Sequence, residues 1–173
     1  MTKHYKFVSY NLEWPKRFKE METMLKDIFA EKAITIEHIG STSVPGMDAK
    51  PLVDVLVIVN DATDLLEEKE KLVSLGYIAR ENVLEPKSFL FEKIVDEQKI
   101  ENIHVFEPGT PSVNQFIHVR DYLRAHPERA QEYIQLKHAL KKEFPEDYQA
   151  YRKGKRDFLN ETEKLGKEMK DVV

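Results

Sequence analysis

An α+β (mixed α/β) fold, with a mixed β-sheet in the first two thirds and a helical C-terminal third, is predicted by three features of the chain. Leu52–Val59 is apolar at every position except Asp54, the pattern of a central strand covered on both faces. Short strand-like segments and helical stripes alternate around it. From Phe116 onward apolar stripes such as Phe116, Val119 and Leu123 recur at three- and four-residue steps, which is helical periodicity.

Taken in order, Pro15 suits a first helical turn, and Phe18, Met21, Leu25, Ile28 and Phe29 mark an amphipathic helix of about 16 residues. Ala33–Ile39 sets Ile34 and Ile36 against Thr35 and Glu37 and reads as a strand. Gly40–Gly46, small and hydroxyl-rich with Pro45 and Gly46 at its end, reads as a tight loop. Asp61–Leu75 carries Leu65, Leu66, Leu72 and Leu75 at helical spacing, with Gly76 as a C-terminal cap. Tyr77–Arg80, Ser88–Val95 and Asn102–Phe106 are shorter strands, and Pro108, Gly109 and Pro111 mark a loop. Phe116, Val119 and Leu123 form a stripe ending before His126-Pro127. Ala130, Tyr133, Leu136, Leu140 and Phe144 form a second. Tyr148–Lys170 is expected as one charged helix frayed near Gly166.

The 173 residues suffice for one domain, residues 1–173, with a substantial core. A net charge of −4 argues against a dedicated nucleic-acid binder, which needs a basic footprint. Without cysteine the chain has no disulfide, thiolate metal site or cysteine nucleophile. The N-terminal stretch lacks the unbroken apolar run of a secretory signal. The longest apolar run, Val55–Val59, is far short of the ~20 residues that cross a membrane. A cytoplasmic protein with no membrane partner is the expectation.

The candidate functional centre is Gly40–Asp54. Glycine at Gly40 lets a ligand approach the backbone, and Ser41, Thr42 and Ser43 offer hydroxyl and amide donors to phosphate oxygens. Lys50 supplies a positive charge. Asp54, a lone charge in an apolar strand, needs a partner. A magnesium ion is one, since it takes one or two carboxylates together with substrate phosphates; the alternatives are a structural role as hydrogen-bond acceptor or an ion pair, with Lys50 as a mate. Neither a Walker loop nor a Rossmann fingerprint is present. Outside this segment, His104 stands on an apolar strand, where it serves as a ligand or as a hydrogen-bonded core residue. Arg120 and Arg124, one helical turn apart, suit phosphate or ion pairs with Asp121 or Glu128. Lys155 follows Tyr151 by four residues within the basic cluster Arg152–Arg156.

The run Glu37-His38-Ile39-Gly40-Ser41-Thr42-Ser43-Val44-Pro45-Gly46, then Lys50-Pro51-Leu52-Val53-Asp54-Val55, resembles the signature of the GrpB family. The resemblance extends through Trp14, Phe18, His104-Val105, Arg120–Arg124, Pro127, Tyr133, Leu136-Lys137, Tyr151, Lys155 and Phe158. It implies a nucleotidyltransferase-like sheet in which the Gly40-Ser41 pair binds nucleotide phosphates. Asp54, as catalytic residue and metal ligand, would then hold Mg2+ for in-line attack at the α-phosphate. The substrate-binding set so implied is Gly40, Ser41, Thr42, Ser43, Lys50, His104, Arg120, Arg124, Tyr151 and Lys155, with a nucleoside triphosphate and an unknown small-molecule acceptor as partners.

This sequence departs from the superfamily pattern in one respect. Two carboxylates one residue apart are usual on that strand, whereas Leu52 and Leu56 flank Asp54 at those distances. Glu37, Glu92 and His104 are the other groups that neighbouring strands offer. The expectations are therefore a magnesium-dependent nucleotidyltransferase or a catalytically inactive nucleotide-binding or regulatory module of the same fold. A scaffold using the helical third to hold a partner ranks below both.

Overall fold

The structure, a computed structural model, describes residues 6–171; the first residues of the N-terminal stretch discussed above lie outside this range. Helix α1 (Glu13–Phe29) and a 3-10 turn (Ala30–Lys32) are followed by strand β1 (Ala33–Ile39), a second 3-10 turn (Ser41–Ser43) and strand β2 (Val53–Val59). Helix α2 (Leu66–Ser74) leads to strands β3 (Ile78–Glu81), β4 (Phe89–Val95) and β5 (Gln98–Phe106). Helices α3 (Pro111–Ala125), α4 (Pro127–Glu143), α5 (Tyr148–Gly154) and α6 (Arg156–Asp171) complete the described chain.

The strands form one sheet in the order β1-β2-β5-β4-β3. Only β2 and β5 are parallel; the other pairings are antiparallel. The register puts Ile39 beside Asp54, Asp54 beside Asn102 and Leu56 beside His104. Because side chains alternate between faces, Asp54, Asn102 and His104 share one face with Glu37, Leu56 and Phe106. Val53, Val55, Val57, Ile103 and Val105 share the other.

That second face is sealed by α1 and α2 into the main core, with Met21, Leu25, Phe29, Leu72 and Phe91 almost wholly buried. On the first face, Ile39, Leu56, Ile58 and Phe106 pack under Val113 and Phe116 of α3. Val44 and Met47, from the loop after β1, pack against Leu123, Ala130 and Tyr133. The helical third is thereby fastened over the Gly40–Gly46 loop.

Three elements differ from the expectation. The helix expected from Asp61 begins at Leu66, because the Asp61 carboxylate accepts from Thr63 N and Oγ1 (2.7 and 2.6 Å) in a local turn that competes with helix. Strand β5 begins at Gln98, closing a hairpin on Asp96 and Glu97, both at positive φ (48° and 62°). The Tyr148–Lys170 helix is two helices broken at Lys155. Gly166 is no fray point: a Cβ there would collide with the backbone of His118, so its missing side chain lets α6 lie directly on α3.

Candidate functional site

The loop after β1 is held by its own hydroxyls. Gly40 adopts φ 71° and ψ −175°, a region open essentially to glycine alone. Ser43 Oγ donates to Gly40 O (2.6 Å), and Thr42 Oγ1 donates to Leu52 O (3.2 Å). Because that hydroxyl proton is committed, Thr42 Oγ1 accepts from His38 Nε2 (3.0 Å). His38 stacks on Phe18 on the α1 side, and burial pushes it down to about 4, Arg124 adding to the effect, so it is neutral at physiological pH. Thr42 and Ser43 thus shape the loop, and Ser41 is the hydroxyl left on the cleft.

Asp54 lies beneath this loop. Its Oδ1 accepts from Asn102 Nδ2 (2.8 Å) and from His104 Nε2 (3.2 Å). Its Oδ2 faces Gly40, where an added Cβ would sit 3.0 Å away. The carboxylate remains about one-fifth exposed. Asn102 Oδ1 and His104 Nδ1 are buried without a hydrogen-bond partner, unusual for native polar atoms.

The two glutamates that share this face are committed elsewhere. Glu37 accepts from Arg120 (2.8 Å) and Thr35, and Glu92 is paired with Arg80 and Lys99. Of the three groups that the strands offered to Asp54, only His104 reaches it. Arg120 also bonds Asp121 (2.7 Å) and His38 O (3.2 Å), and Arg124 bonds Ser43 O (2.9 Å). These arginines tie α3 to β1 and to the loop.

The free space around Asp54 is a cleft with two arms that share Ser41, Asp54 and Lys155. One, of about 220 Å3, runs between the loop and helices α3, α4 and α6 along apolar walls. The other, of about 130 Å3, is lined by Lys50, Lys137 and Lys155 together with Tyr148 and Tyr151. Lys50 Nζ lies 3.9 Å from the centre of the Tyr148 ring and Lys155 Nζ 4.6 Å from that of Tyr151, both cation–π distances. Lys137 is almost fully buried. Its ammonium donates to Asp48 O and, at 3.3 Å, to Ser41 Oγ. Burial pushes Lys137 down to about 7, with nearby Lys155 adding to the effect and Asp48 opposing it. Burial likewise brings Lys155 to about 8, with Arg152 adding to the effect and Asp54 pulling the other way.

The donors fit a single magnesium ion held from one side. Asp54 lines both arms of the cleft and offers hard oxygen donors, and one carboxylate plus phosphate oxygens and water is within the ion's ordinary habits. They do not fit an all-protein cage, since among the described residues no three histidine or acidic side chains come together at metal-binding distance.

The sequence places Leu136-Lys137 in the family resemblance but assigns neither Lys137 nor Asn102 to the site. Lys137 carried a signal, because Ala130, Tyr133, Lys137, Leu140 and Phe144 repeat at alternating three- and four-residue steps, which places a lysine on the buried seam of α4. Asn102 sits two residues before His104 and so shares its face.

The fold and site define a mixed-sheet α/β domain in which a glycine loop covers a lone strand carboxylate and lysines from the C-terminal helices line the cleft beside it. The family described as GrpB protein matches residues 4–165, and the chain belongs to the GrpB family. It is 34% identical over 164 residues to UPF0157 protein YqkA of Bacillus subtilis, covering 94% of this chain and 47% of that protein. It is 31% identical to glutamate-rich protein GrpB of Alkalihalophilus pseudofirmus, covering 89% of this chain and 91% of that one. The chain therefore spans about half the length of YqkA and nearly all of the second relative. The crystal structure of conserved protein GrpB from Enterococcus faecalis superposes with a TM-score of 0.86 at 28% identity, covering 93% of this chain and 96% of that one. Among the described residues no helix is long and apolar enough to cross a membrane.

Proposed function

We propose that the chain is a nucleoside-triphosphate-binding domain of nucleotidyltransferase type. The observation that carries this reading is the convergence of Ser41, Lys155 and Asp54 where the two arms of the cleft meet, with Lys137 of the second arm bonded to Ser41. Ammonium groups held in a partly desolvated cleft attract phosphate more strongly than the same groups in water. Asp54 Oδ2 would hold magnesium jointly with phosphate oxygens; when bound, the ion neutralises phosphate charge and polarises the phosphoryl group. The protein's own part is to position: Gly40 admits the ligand to the backbone, Asn102 and His104 fix the Asp54 carboxylate, and Arg124 holds the loop. A cytoplasmic location, where nucleoside triphosphates are available, goes with this reading.

A second reading, transfer of the nucleotidyl group to an unknown acceptor, draws support from the place of Asp54. A triphosphate chain running from one arm to the other passes this carboxylate. Transfer would join an acceptor oxygen or nitrogen to the α-phosphorus, break its bond to the β-phosphate oxygen and release pyrophosphate.

Titration with nucleoside triphosphates, with and without magnesium, tests the first reading. Binding that strengthens with magnesium is expected, and Asp54→Ala is expected to remove the magnesium dependence at a stability cost of only ~1–3 kcal/mol, from the hydrogen bonds of Asn102 and His104 left unpaired. Failure of any nucleotide to bind or to shift the melting temperature overturns it. If Asp54→Ala instead destabilises the fold by ~3–5 kcal/mol, Asp54 anchors a buried pair rather than a metal. Pyrophosphate release in the presence of a metabolite pool separates transfer from binding alone.

A further inference from the structure

The apolar arm is built for something other than phosphate. Its walls include Val44, Phe116, Val119, Tyr133 and Leu159. Arg120 also borders it, but its guanidinium is engaged by Glu37, Asp121 and His38 O, as described above, so it offers no free charge. Away from the shared end of the cleft, two neutral polar side chains line this arm, the almost wholly buried Tyr133 and the half-buried Gln115. Gln115 Nε2 donates to Asn160 Oδ1 (3.2 Å) and to Glu163 Oε2 (3.1 Å), both on α6. A primary amide nitrogen has two hydrogens, so both are used. The ionised carboxylate only accepts, which fixes the amide: turning it would set Gln115 Oε1 against Glu163. What Gln115 has left for a ligand is the acceptor Oε1.

A flat body with apolar faces and a polar edge, joined to a chain of phosphates, is a nucleotide. From this geometry we infer that the apolar arm is the nucleobase pocket and that Gln115, held by Glu163, is a specificity-determining residue. It selects bases that carry an amino group where guanine and uracil carry a keto oxygen, namely adenine and cytosine. This rests on the reading of the lysine-lined arm as the phosphate site. The 6-amino group of adenine or the 4-amino group of cytosine donates to Gln115 Oε1. In the same pose, the corresponding keto oxygen of guanine or uracil faces it acceptor to acceptor, leaving both without a protein partner at a half-buried position. Sites that hydrogen-bond a substrate group discriminate strongly against analogues that leave the partner unpaired.

The test is calorimetric titration of the full chain with ATP, CTP, GTP and UTP in magnesium, with inorganic tripolyphosphate as control. ATP and CTP are expected to bind about three- to tenfold more tightly than GTP and UTP, a smaller factor than a fully buried unpaired acceptor supplies because Gln115 is half-buried. Gln115→Leu is expected to remove that preference while tripolyphosphate binding persists. Glu163→Gln, which frees the amide to turn and lies one residue behind the pocket, is expected to narrow it. Equal affinity for the four nucleotides, or a preference for GTP and UTP, overturns the inference. So does tripolyphosphate binding as tightly as any nucleotide, in which case the phosphate site stands without a base pocket. If neither tripolyphosphate nor any nucleotide binds, the phosphate site itself fails and this inference falls with it.

Discussion

The two faces of the sheet solve the same burial problem in different ways. Beneath α1 and α2, the valines of β2 meet Leu25, Phe29 and Phe91 in a closed apolar layer. The polar groups on that side are matched to one another: Glu101 takes the Tyr77 hydroxyl and Arg17 together, and His38 is neutral and bonded to Thr42. Beneath α3 and α4, the layer closes only around Leu56, Ile58 and Phe106. It then opens into a cleft with a carboxylate, two buried unpartnered atoms on Asn102 and His104, and lysines stripped of part of their hydration. One face stabilises the domain. The other retains groups that are costly to bury, the groups to which the proposed function assigns ligand binding.

That contrast breaks first under substitution. Phe29→Ala, on the closed face, removes a side chain only 1% exposed and is expected to cost ~3–5 kcal/mol, read as a lower denaturant midpoint at unchanged slope. Nucleotide affinity per folded molecule should not change. If the loss is below about 1 kcal/mol, the closed face is not the stabilising one. The next largest effect belongs to the cleft side. Gly40→Ala forces a side chain into the glycine-only region, at a cost of ~1–3 kcal/mol, and presses its Cβ onto Asp54 Oδ2. Stability is expected to fall by that amount, and magnesium-dependent binding to be lost. Retained binding in a destabilised variant would separate the loop's shape from the site.

Much of the fold was legible because its signals are local. Alternation, three- and four-residue spacing and glycine or proline punctuation located the sheet, its central strand and the long helices. What was missed depends on contacts distant in sequence. Nothing within Tyr148–Lys170 announces that Tyr151 must turn inward beside Lys50 while α6 lies on α3, so one helix was read where there are two. Gly166 looked like a weak point because glycine disfavours helix interiors; its purpose is visible only against His118. In the candidate site, Gly40, Ser41 and Asp54 are adjacent enough in sequence to be seen together, and His104 could be placed on a neighbouring strand. The commitment of Glu37 to Arg120, and of Gln115 to Glu163, required α3 and α6 to be in place.

Lys137 sharpens the comparison with the smallest change in fold stability. Its folded-state value of about 7 lies below the ordinary lysine value of 10.5, so between those pH values the unfolded chain binds more protons than the folded one. Stability therefore rises with pH across that window, and below about 7 the full penalty of burying the charged amine is present. Lys155, at about 8, adds a slope of the same sign. Phosphate binding has the opposite dependence, because the charged amine is the form that attracts an anion, and affinity is expected to fall as pH rises through 7 to 8. Lys137→Met keeps the apolar stem against Tyr133 and removes the charge. At pH 6 its melting temperature is expected to be no lower than that of the unsubstituted protein, its stability to vary less between pH 7 and 10, and its triphosphate affinity to drop by roughly tenfold or more, as for loss of one charge-assisted contact. Thermal melts and titrations across that pH range check both slopes together. A lower melting temperature with unchanged affinity would make Lys137 a structural strut and return the cleft face to the same class as the face beneath α1.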